Sequence, residues 1–383
     1  MRNKRMHKKY IYMLIIIILG LISYPLIGRT SLESFAKNWM NEQIDKDFRN
    51  FANATIPFER AEDLMELVKD EKNNPGLIRV TYNNRNLVIR NWKNEVIEPH
   101  LYKGPFSERI QSMHGSFSKL LKMAKMPNFD LAVLLHDSED SCTIQQGPIL
   151  CFSKRNTSSH CIMIPDFEAL EGNKDKLKEV KAGNHKYPWN AKKNEGFWRG
   201  ATTGGNYSYE NFLDYPRSKC IQLSLENPQL IDARFTSLCQ TDEEGKIKSH
   251  FESFFSKPIS VKKHLLYKYQ ITLDGNASTY SRLIWQMHSN CLVFKQSSPF
   301  EQWFYNSLIP FVHYIPFAWD TSDLLKQIIW AKEHDAQAQT IVKNANLYAK
   351  NNLNQKSISC YLYLVIKKHA ELEKTLRLAS NKS

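Results

Sequence analysis

One stretch of the chain, Tyr267 to Gln296, restricts the possible folds more than any other. Apolar and polar side chains alternate at its start, which is the two-residue period of a β-strand. The turn formers Asp274, Gly275 and Asn276 then end this strand, and glycine and asparagine both tolerate positive φ. A strand that stops at such a turn is typical of the strand–turn–helix units of α/β proteins.

The residues after this turn predict a helix and a second strand. Ser278 or Thr279 can cap a helix, and an apolar strand follows over residues 291–294. Such a unit presents free backbone N–H groups at the turn, which is a favourable place for a phosphate. Arg282 falls in the first turn of the predicted helix, where the helix dipole favours an acidic residue. A bound anion explains this cation, and an ordinary surface arginine is the alternative.

Length and charge limit the classes of protein to which the chain can belong. Its 383 residues, 42% of them hydrophobic, suffice for one large core or for two. The net charge is +13, and five basic residues lie in the first nine positions. The remaining basic excess fits an anionic ligand. No basic stripe with interleaved aromatic residues is present, so we expect no nucleic-acid partner.

An uncharged and almost wholly apolar run over residues 11–27 predicts a membrane anchor, near the lower limit of about 17 residues for a spanning helix. Its basic flank would keep the N-terminus cytoplasmic. A cleaved signal peptide is the alternative, although no small-residue cleavage site follows the run. We therefore expect a single-pass membrane protein, with its body in the secretory-pathway lumen of a eukaryote or at the inner membrane and envelope of a bacterium.

Two groups of candidate metal ligands do not have the pattern of a metal site. Cys142, Cys151, His160 and Cys161 lack the spacing of structural zinc sites, so buried thiols or one or two disulfides are expected. The stretch 45–47 has an Asp-x-Asp form and lies in a predicted stalk helix. We interpret it as an exposed helix face.

Two further stretches place charged residues at the ends of predicted strands. The continuous apolar run 131–135 predicts a buried parallel strand. Asp137 follows at its carboxyl end, where open α/β sheets place their ligands. This carboxylate can act as a catalytic base or merely cap the turn that begins at Ser138. Residues 196–200 predict a strand entering a glycine-rich loop, where Arg199 can contact a phosphate bidentately.

Taken in order, these stretches resemble the family-90 glycosyltransferases, which include protein O-glucosyltransferases, fungal capsule xylosyltransferases and bacterial lipopolysaccharide-modifying enzymes. The resemblance covers roughly residues 75–370. The following motifs carry it: His136-Asp137, Cys151-Phe152-Ser153-Lys154, Phe197-Trp198-Arg199-Gly200, Asn227-Pro228, Leu230-Ile231-Asp232-Ala233, Tyr267-Lys268-Tyr269, Asp274-Gly275-Asn276, Ser281-Arg282, Leu292-Val293-Phe294-Lys295, His313-Tyr314-Ile315-Pro316 and Asp320.

The resemblance implies an inverting, UDP-sugar-dependent transferase with an α/β fold, in which two Rossmann-like domains face a cleft in the GT-B arrangement. It assigns the catalytic base to Asp137 and the diphosphate to Arg199 and Arg282. No metal and no cofactor are expected besides the UDP-sugar co-substrate. With the two arginines, the implied donor site contains these residues: Trp198, Gly200, Asp274, Gly275, Asn276, Ala277, Ser278, Thr279, Tyr280 and Ser281.

The expected organisation has five parts. They are a basic tail and anchor (1–28), a helical stalk (29–74), an acceptor-side domain with the catalytic aspartate (75–180), a UDP-sugar-binding domain (181–345) and C-terminal helices that cross back to the first domain (346–383).

The sequence departs from the family pattern in two ways, and the second bears on the expected acceptor. His136 replaces an arginine of many relatives, and the cysteine pattern of the animal protein glucosyltransferases is mostly missing. The second departure favours a saccharide, so we expect transfer of glucose or xylose to an envelope or lipid-linked glycan. O-glucosylation of a serine in a folded protein domain is the first alternative. A non-catalytic protein that binds a nucleotide sugar or a glycan is the second.

Overall fold

The computed structural model describes residues 31–68, 76–138 and 144–380. Strands and helices alternate along these residues and form two main sheets, one mixed and one parallel, so the predicted α/β class is confirmed. The strands are β1 (Leu77–Asn83), β2 (Asn86–Arg90), β3 (Val96–Ile97), β4 (Phe129–Leu134), β5 (Ile149–Cys151), β6 (Lys154–Arg155), β7 (Cys161–Met163), β8 (Lys193–Ala201), β9 (Ile231–Ser237), β10 (Tyr267–Thr272), β11 (Leu292–Gln296), β12 (Phe300–Glu301) and β13 (Ile315–Phe317). The α-helices are α1 (Asn38–Ala52), α2 (Ala61–Leu67), α3 (Ser107–Met123), α4 (Phe167–Glu171), α5 (Lys174–Lys186), α6 (Pro216–Glu226), α7 (Glu244–His250), α8 (Val261–His264), α9 (Ser281–Met287), α10 (Leu324–Glu333), α11 (Asp335–Asn352) and α12 (Gln355–Ser380).

The first sheet has the strand order β3-β2-β1-β4-β5-β7. Strands β1 to β4 pair antiparallel, whereas β4, β5 and β7 run parallel. Residues 131–135 are fully buried, as a continuous apolar run predicts for a strand covered on both faces. The chain leaves β4 at its carboxyl end, and this brings Asp137 to the edge of the sheet that faces the second sheet.

The second sheet has the order β13-β11-β10-β8-β9 and is parallel throughout. Its central strand β10 is buried along its whole length. Hydrogen bonds stabilise two of its buried polar side chains: Thr272 bonds to the Gln286 side chain, and Gln270 Nε2 donates to the His264 carbonyl. The predicted strand–turn–helix–strand unit is therefore present at the centre of this sheet.

The helix of this unit begins later than the sequence predicts. It starts at Ser281, and Tyr280 occupies the N-cap position without a side-chain cap bond. Ser278 and Thr279 lie before the helix, where their hydroxyls contact Gln302 and Tyr305 instead. The prediction that either residue caps the helix is wrong, because tertiary contacts take up both hydroxyl groups.

Helix α1 packs into the hydrophobic core around the first sheet, which we call the first core. One of its charged residues is buried, although it was predicted to be exposed. The Asp47 carboxylate is buried and accepts hydrogen bonds from Lys154 Nζ at 2.8 Å and from Gln43 Nε2 at 3.0 Å. The interpretation of residues 45–47 as an exposed helix face is thus wrong at Asp47, although Asp45 is exposed. Helical spacing places Asp47 on the side of Phe48 and Phe51, and the partner that permits its burial comes from distant β6.

The last two helices, α11 and α12, pass from the hydrophobic core around the second sheet, which we call the second core, to the first core. Ile341 of α11 packs in the second core, whereas Tyr348 and most of the buried face of α12 belong to the first. The predicted five-part organisation, with C-terminal helices that cross back to the first domain, stays a prediction.

The predicted membrane localisation is corrected. Within the three described ranges, every helix is too short or too polar to cross a bilayer. On this finding the assignment to a single-pass membrane protein is withdrawn. Residues 11–27, where the anchor was predicted, lie outside the described residues.

Candidate active-site cleft

A cleft of about 610 Å³ lies between the two sheets. A larger groove of about 1250 Å³ beside β1, β2 and α12 contains none of the predicted site residues, so volume alone does not locate the site. Residues from both sides of the molecule line the smaller cleft. They are Phe106, Arg109, His136, Asp137, Arg155, Gly204, Gly205, Gln240, Gly275, Asn276, Pro299, Phe300 and Trp319.

The Asp137 carboxylate is held from both sides of this cleft. Arg109 Nη2 donates to Asp137 Oδ1 at 2.8 Å, and Asn276 Nδ2 donates to Oδ2 at 3.1 Å. The Tyr280 hydroxyl donates to the backbone carbonyl of Asp137. Burial on its own would raise the pKa of Asp137, but the hydrogen bond and charge of Arg109, with the bonds from Asn276 and Tyr280, hold this pKa below its usual value. The carboxylate is therefore ionised at neutral pH, as a proton acceptor must be.

Arg109 is a site residue that the sequence analysis missed. It lies in the first turn of α3, where its Nη1 also donates to the Leu135 carbonyl. Its guanidinium lies 4.7 Å from the ring centroid of Phe167. Arg109 and Asp137 are far apart in the sequence, and no motif surrounds the arginine. Only the packing of α3 against the end of β4 brings the two together.

Two loops of the second sheet form the opposite wall of the cleft. We call them the donor loops, residues 201–205 after β8 and residues 274–280 after β10. The backbone N–H of Gly204 donates to Asn276 Oδ1 at 2.9 Å. Gly204 has a φ of +95°, and a Cβ atom there would lie 2.8 Å from the Gly275 carbonyl oxygen. Glycine at position 204 therefore allows the two loops to touch.

Arg217 supports both donor loops from behind. Its Nε donates to the Asp274 carbonyl at 2.9 Å, and its Nη1 donates to the Ala201 carbonyl at 2.7 Å. Arg217 was not predicted as a site residue, although the sequence carries a signal for it. Arg217 follows Pro216 in the first turn of α6, so it occupies the same unusual place in a helix as Arg282 does.

The two arginines predicted to bind the diphosphate have different environments. Arg199 Nη2 donates to Asp232 Oδ1 at 2.7 Å, so its charge is already paired. Arg282 Nη2 donates to the Arg199 carbonyl at 3.0 Å. Burial, together with the charge of Arg217, lowers the pKa of Arg282 to about 10. Neither Arg199 nor Arg282 lines the cleft itself.

Arg217 and Arg282 share an unusual electrostatic feature. Within the described part of the chain, no carboxylate oxygen lies within 4 Å of either guanidinium. Burial also lowers the pKa of Arg217. Two desolvated cations that repel each other stand beside the donor loops, and an anion bound there would stabilise both.

The remaining predicted donor residues mostly support the cleft. Only Asp137, Gly275 and Asn276 of the predicted set line it. Trp198 and Ala277 are buried, and Ser278 accepts a hydrogen bond from Gln302 Nε2. Asp274 is also buried, and this burial raises its pKa despite the nearby Lys295. Gly200 is partly buried next to the donor loops, Thr279 and Tyr280 are partly buried within them, and Ser281 is buried at the start of α9.

The described residues contain no cluster of three or more histidine, cysteine or acidic side chains suited to a metal ion. Independence from added metal stays a prediction, because activity alone can test it. No disulfide joins two of the cysteines that the structure describes, and all of these but Cys239 are buried, while Cys142 lies outside the described residues.

Comparison with known proteins gives consistent matches. The family model described as Glycosyl transferase family 90 matches residues 77–380. Protein O-glucosyltransferase 2 of Danio rerio is 30% identical over 275 residues, which cover 69% of this chain and 51% of the relative. Protein O-glucosyltransferase 3 of Homo sapiens is 35% identical over 206 residues, which cover 53% of this chain and 37% of the relative. The matches thus span about half or less of these curated relatives.

A third relative is matched over more of its length. The O-glucosyltransferase rumi of Drosophila pseudoobscura pseudoobscura is 27% identical over 307 residues, which cover 73% of this chain and 69% of the relative. Among solved structures, sucrose-phosphate synthase of Thermosynechococcus elongatus has a TM-score of 0.33 at 14% identity, covering 53% of this chain and 51% of that chain. A likeness this weak carries no argument about the present fold.

Proposed function

Because the chain belongs to glycosyltransferase family 90, we propose that it transfers a sugar from a UDP-sugar to an acceptor hydroxyl, with inversion, in the cleft between its two sheets. One observation carries the proposal. The ionised carboxylate of Asp137 faces, across the cleft, two donor loops backed by the unpaired guanidiniums of Arg217 and Arg282. A proton acceptor and an anion-binding corner on opposite walls suit a GT-B arrangement of an acceptor side and a donor side.

Asp137 is the proposed base. As the acceptor oxygen attacks the anomeric carbon from the face opposite UDP, its proton must leave, and a carboxylate oxygen can take it. Asp137 Oδ2 accepts one hydrogen bond, from Asn276, and therefore keeps a second lone pair for the acceptor hydroxyl. Arg109 binds the other oxygen and keeps the carboxylate ionised.

Arg282 and Arg217 are the proposed partners of the departing diphosphate. Negative charge grows on the leaving group during transfer, and fixed cations in a desolvated site stabilise that charge strongly. Arg199 was predicted for the same role, but its pairing with Asp232 makes it the weaker candidate. The two guanidiniums can supply the positive charge that a metal ion supplies elsewhere, so we expect activity to persist in EDTA. A strict requirement for added manganese would contradict this expectation.

A hydroxyl of a folded protein domain is the proposed acceptor, with glucose or xylose as the sugar. The similar curated proteins are named as protein O-glucosyltransferases, and these names support the protein acceptor better than the glycan acceptor favoured from the sequence. The glycan interpretation depended on the cysteine pattern, and none of the described cysteines lines the cleft. The glycan acceptor is therefore the alternative outcome of the assay.

The assay measures UDP release by the full chain from UDP-glucose and UDP-xylose. It compares two acceptors, a small disulfide-bonded protein domain with exposed serines and an oligosaccharide. We expect release with the protein domain and a glycosylated serine by mass spectrometry. Turnover with the oligosaccharide alone would restore the glycan interpretation. UDP binding without turnover on any acceptor would favour a non-catalytic binding protein.

Asp137→Asn tests the base directly. It keeps the shape of the side chain but cannot accept the proton, so turnover should fall about 10²- to 10⁴-fold. UDP affinity by calorimetry should remain at the wild-type value, because the diphosphate is bound by the other wall. Asp45→Asn, a change of the same kind at an exposed position, is the control. If Asp137 only caps a turn, the variant loses about 1 kcal/mol of stability and keeps its turnover.

A further inference from the structure

The side chain of Asn276 connects the two walls of the cleft. Its Oδ1 accepts from the backbone N–H of Gly204 at 2.9 Å, within the donor loops. Its Nδ2 donates to Asp137 Oδ2 at 3.1 Å, across the cleft. A single amide thus joins both donor loops to the carboxylate that we assign as the base.

Only one orientation of this amide satisfies both contacts. The Gly204 N–H is a donor and requires the amide oxygen, whereas an ionised carboxylate is an acceptor and requires the amide nitrogen. Rotating the amide by 180° would place nitrogen against nitrogen and oxygen against oxygen. Contact between the two donor loops therefore determines which group Asn276 presents to Asp137.

A second residue of the same loop reaches Asp137 independently. The Tyr280 hydroxyl donates to the Asp137 carbonyl and lies 3.4 Å from its Oδ1. Tyr280 has φ 47° and ψ −133°, a backbone conformation that is unfavourable for a residue with a side chain. The surrounding structure maintains this strained residue at the point where the donor side meets the base.

We propose that Asn276 is a positioning residue, which orients the Asp137 carboxylate for proton transfer while the two donor loops are in contact. The inference rests on the proposed role of Asp137 as base. It adds that the residues around the first sheet do not by themselves orient the Asp137 carboxylate. Its orientation depends on loops that belong to the donor side, and this couples the state of those loops to the chemical step.

Three variants test the coupling in the full chain. Asn276→Ala removes the amide and should lower turnover about ten- to a hundredfold, since a small misplacement of a reacting group can cost that much. UDP affinity should change less than threefold. Tyr280→Phe removes the second contact and should lower turnover less. Asn276→Asp replaces the donor by a second carboxylate next to Asp137 Oδ2.

The pH profile of Asn276→Asp tests whether residue 276 lies next to the base in the working enzyme. Like charges this close raise the pKa of the pair, so the acidic limb of kcat/KM should move upward by about one unit or more. Asn41→Asp adds the same charge at an exposed position of α1 and should leave the profile unchanged. A structural defect at Asn276 would lower the melting temperature but would not move the acidic limb.

Each result has one meaning. If Asp137→Asn is inactive but both Asn276 variants keep wild-type turnover and profile, the coupling is wrong and the base assignment stands. If Asp137→Asn is active, the base assignment fails, and the coupling fails with it. If Asn276→Ala does not fold, Asn276→Asp and Tyr280→Phe still give the profile and the turnover, and unchanged values in both overturn the inference.

Discussion

Replacing Arg282 by glutamine is expected to weaken UDP binding without destabilising the unliganded protein. Most arginines near a binding site also stabilise the fold, and their removal costs both affinity and stability. Arg282 differs, because no carboxylate oxygen lies within 4 Å of it among the residues described, and its guanidinium donates to the carbonyl of Arg199. Its charge is therefore only partly offset, by the more distant carboxylate of Glu168, until an anion binds.

Two estimates set the size of the effect. Charge-assisted hydrogen bonds to a diphosphate contribute about 1.5–3 kcal/mol, which corresponds to about a tenfold to 150-fold increase in the Kd of UDP. The pKa of Arg282 is lowered from 12.5 to about 10, so its charge costs on the order of 3 kcal/mol in the free protein. Glutamine removes that cost but loses one hydrogen bond of about 1 kcal/mol. The free energy of unfolding should thus stay constant or rise by up to about 2 kcal/mol.

Arg199→Gln is the matched control and should behave in the opposite way. Arg199 is paired with Asp232, and its loss leaves a partly buried carboxylate without its cation, at a cost of about 1–3 kcal/mol. Its UDP affinity should change less than threefold. Thermal melting with and without UDP measures the stability of both variants, and calorimetry measures the Kd of UDP for both. A lower melting temperature for Arg282→Gln with an unchanged Kd would show that Arg282 is a structural residue and not a ligand of the diphosphate.

Three further predictions concern other parts of the molecule. Gly204→Ala should lower stability by about 1–3 kcal/mol and weaken UDP binding, because residue 204 has a φ of +95° and a Cβ there would clash with the Gly275 carbonyl. Gly245→Ala is the control: a Cβ there meets open space, so UDP binding measured by calorimetry should not change. Lys154→Met should lower the free energy of unfolding, measured by chemical denaturation, by about 3–5 kcal/mol, because it leaves the buried Asp47 carboxylate unpaired. Lys46→Met removes an exposed pair with Glu301 and should lower it by less than about 1 kcal/mol, so equal losses would contradict this prediction. Burial of His369 against Phe58 lowers its pKa to about 3, so the unfolded state binds its proton more readily and stability falls as the pH drops from 6.5 towards 3, by up to about 1.4 kcal/mol per pH unit. His369→Phe should lower the slope in denaturation curves by this amount, with His264, whose pKa is also lowered to about 3, still contributing, while the exposed His185→Gln should retain the full slope.

Local sequence patterns determined the parts of this protein that depend on neighbouring residues. The continuous apolar run specified β4 as a strand buried on both faces, and the two-residue alternation located the strand β10. Alternation predicts burial of one face only, and the second buried face of β10 comes from tertiary packing. The turn at Asp274, Gly275 and Asn276 depends equally on local chemistry. The position of Asp137 after β4 follows from the strand, so the amino-acid sequence alone is enough to identify the candidate base.

Partners that are distant in the sequence decided the rest, and no local pattern records them. Arg109 reaches Asp137 because α3 packs against the end of β4, and Asp47 of α1 can be buried because Lys154 of β6 pairs with it. Arg199 and Arg282 are indistinguishable as residue types, yet a neighbouring strand supplies Asp232 to only one of them. Whether a charge is paired or unpaired depends on distances of about 3 Å between elements far apart in the chain. Hydrophobic periodicity sets which face of an element is buried, whereas only tertiary packing sets what that face meets.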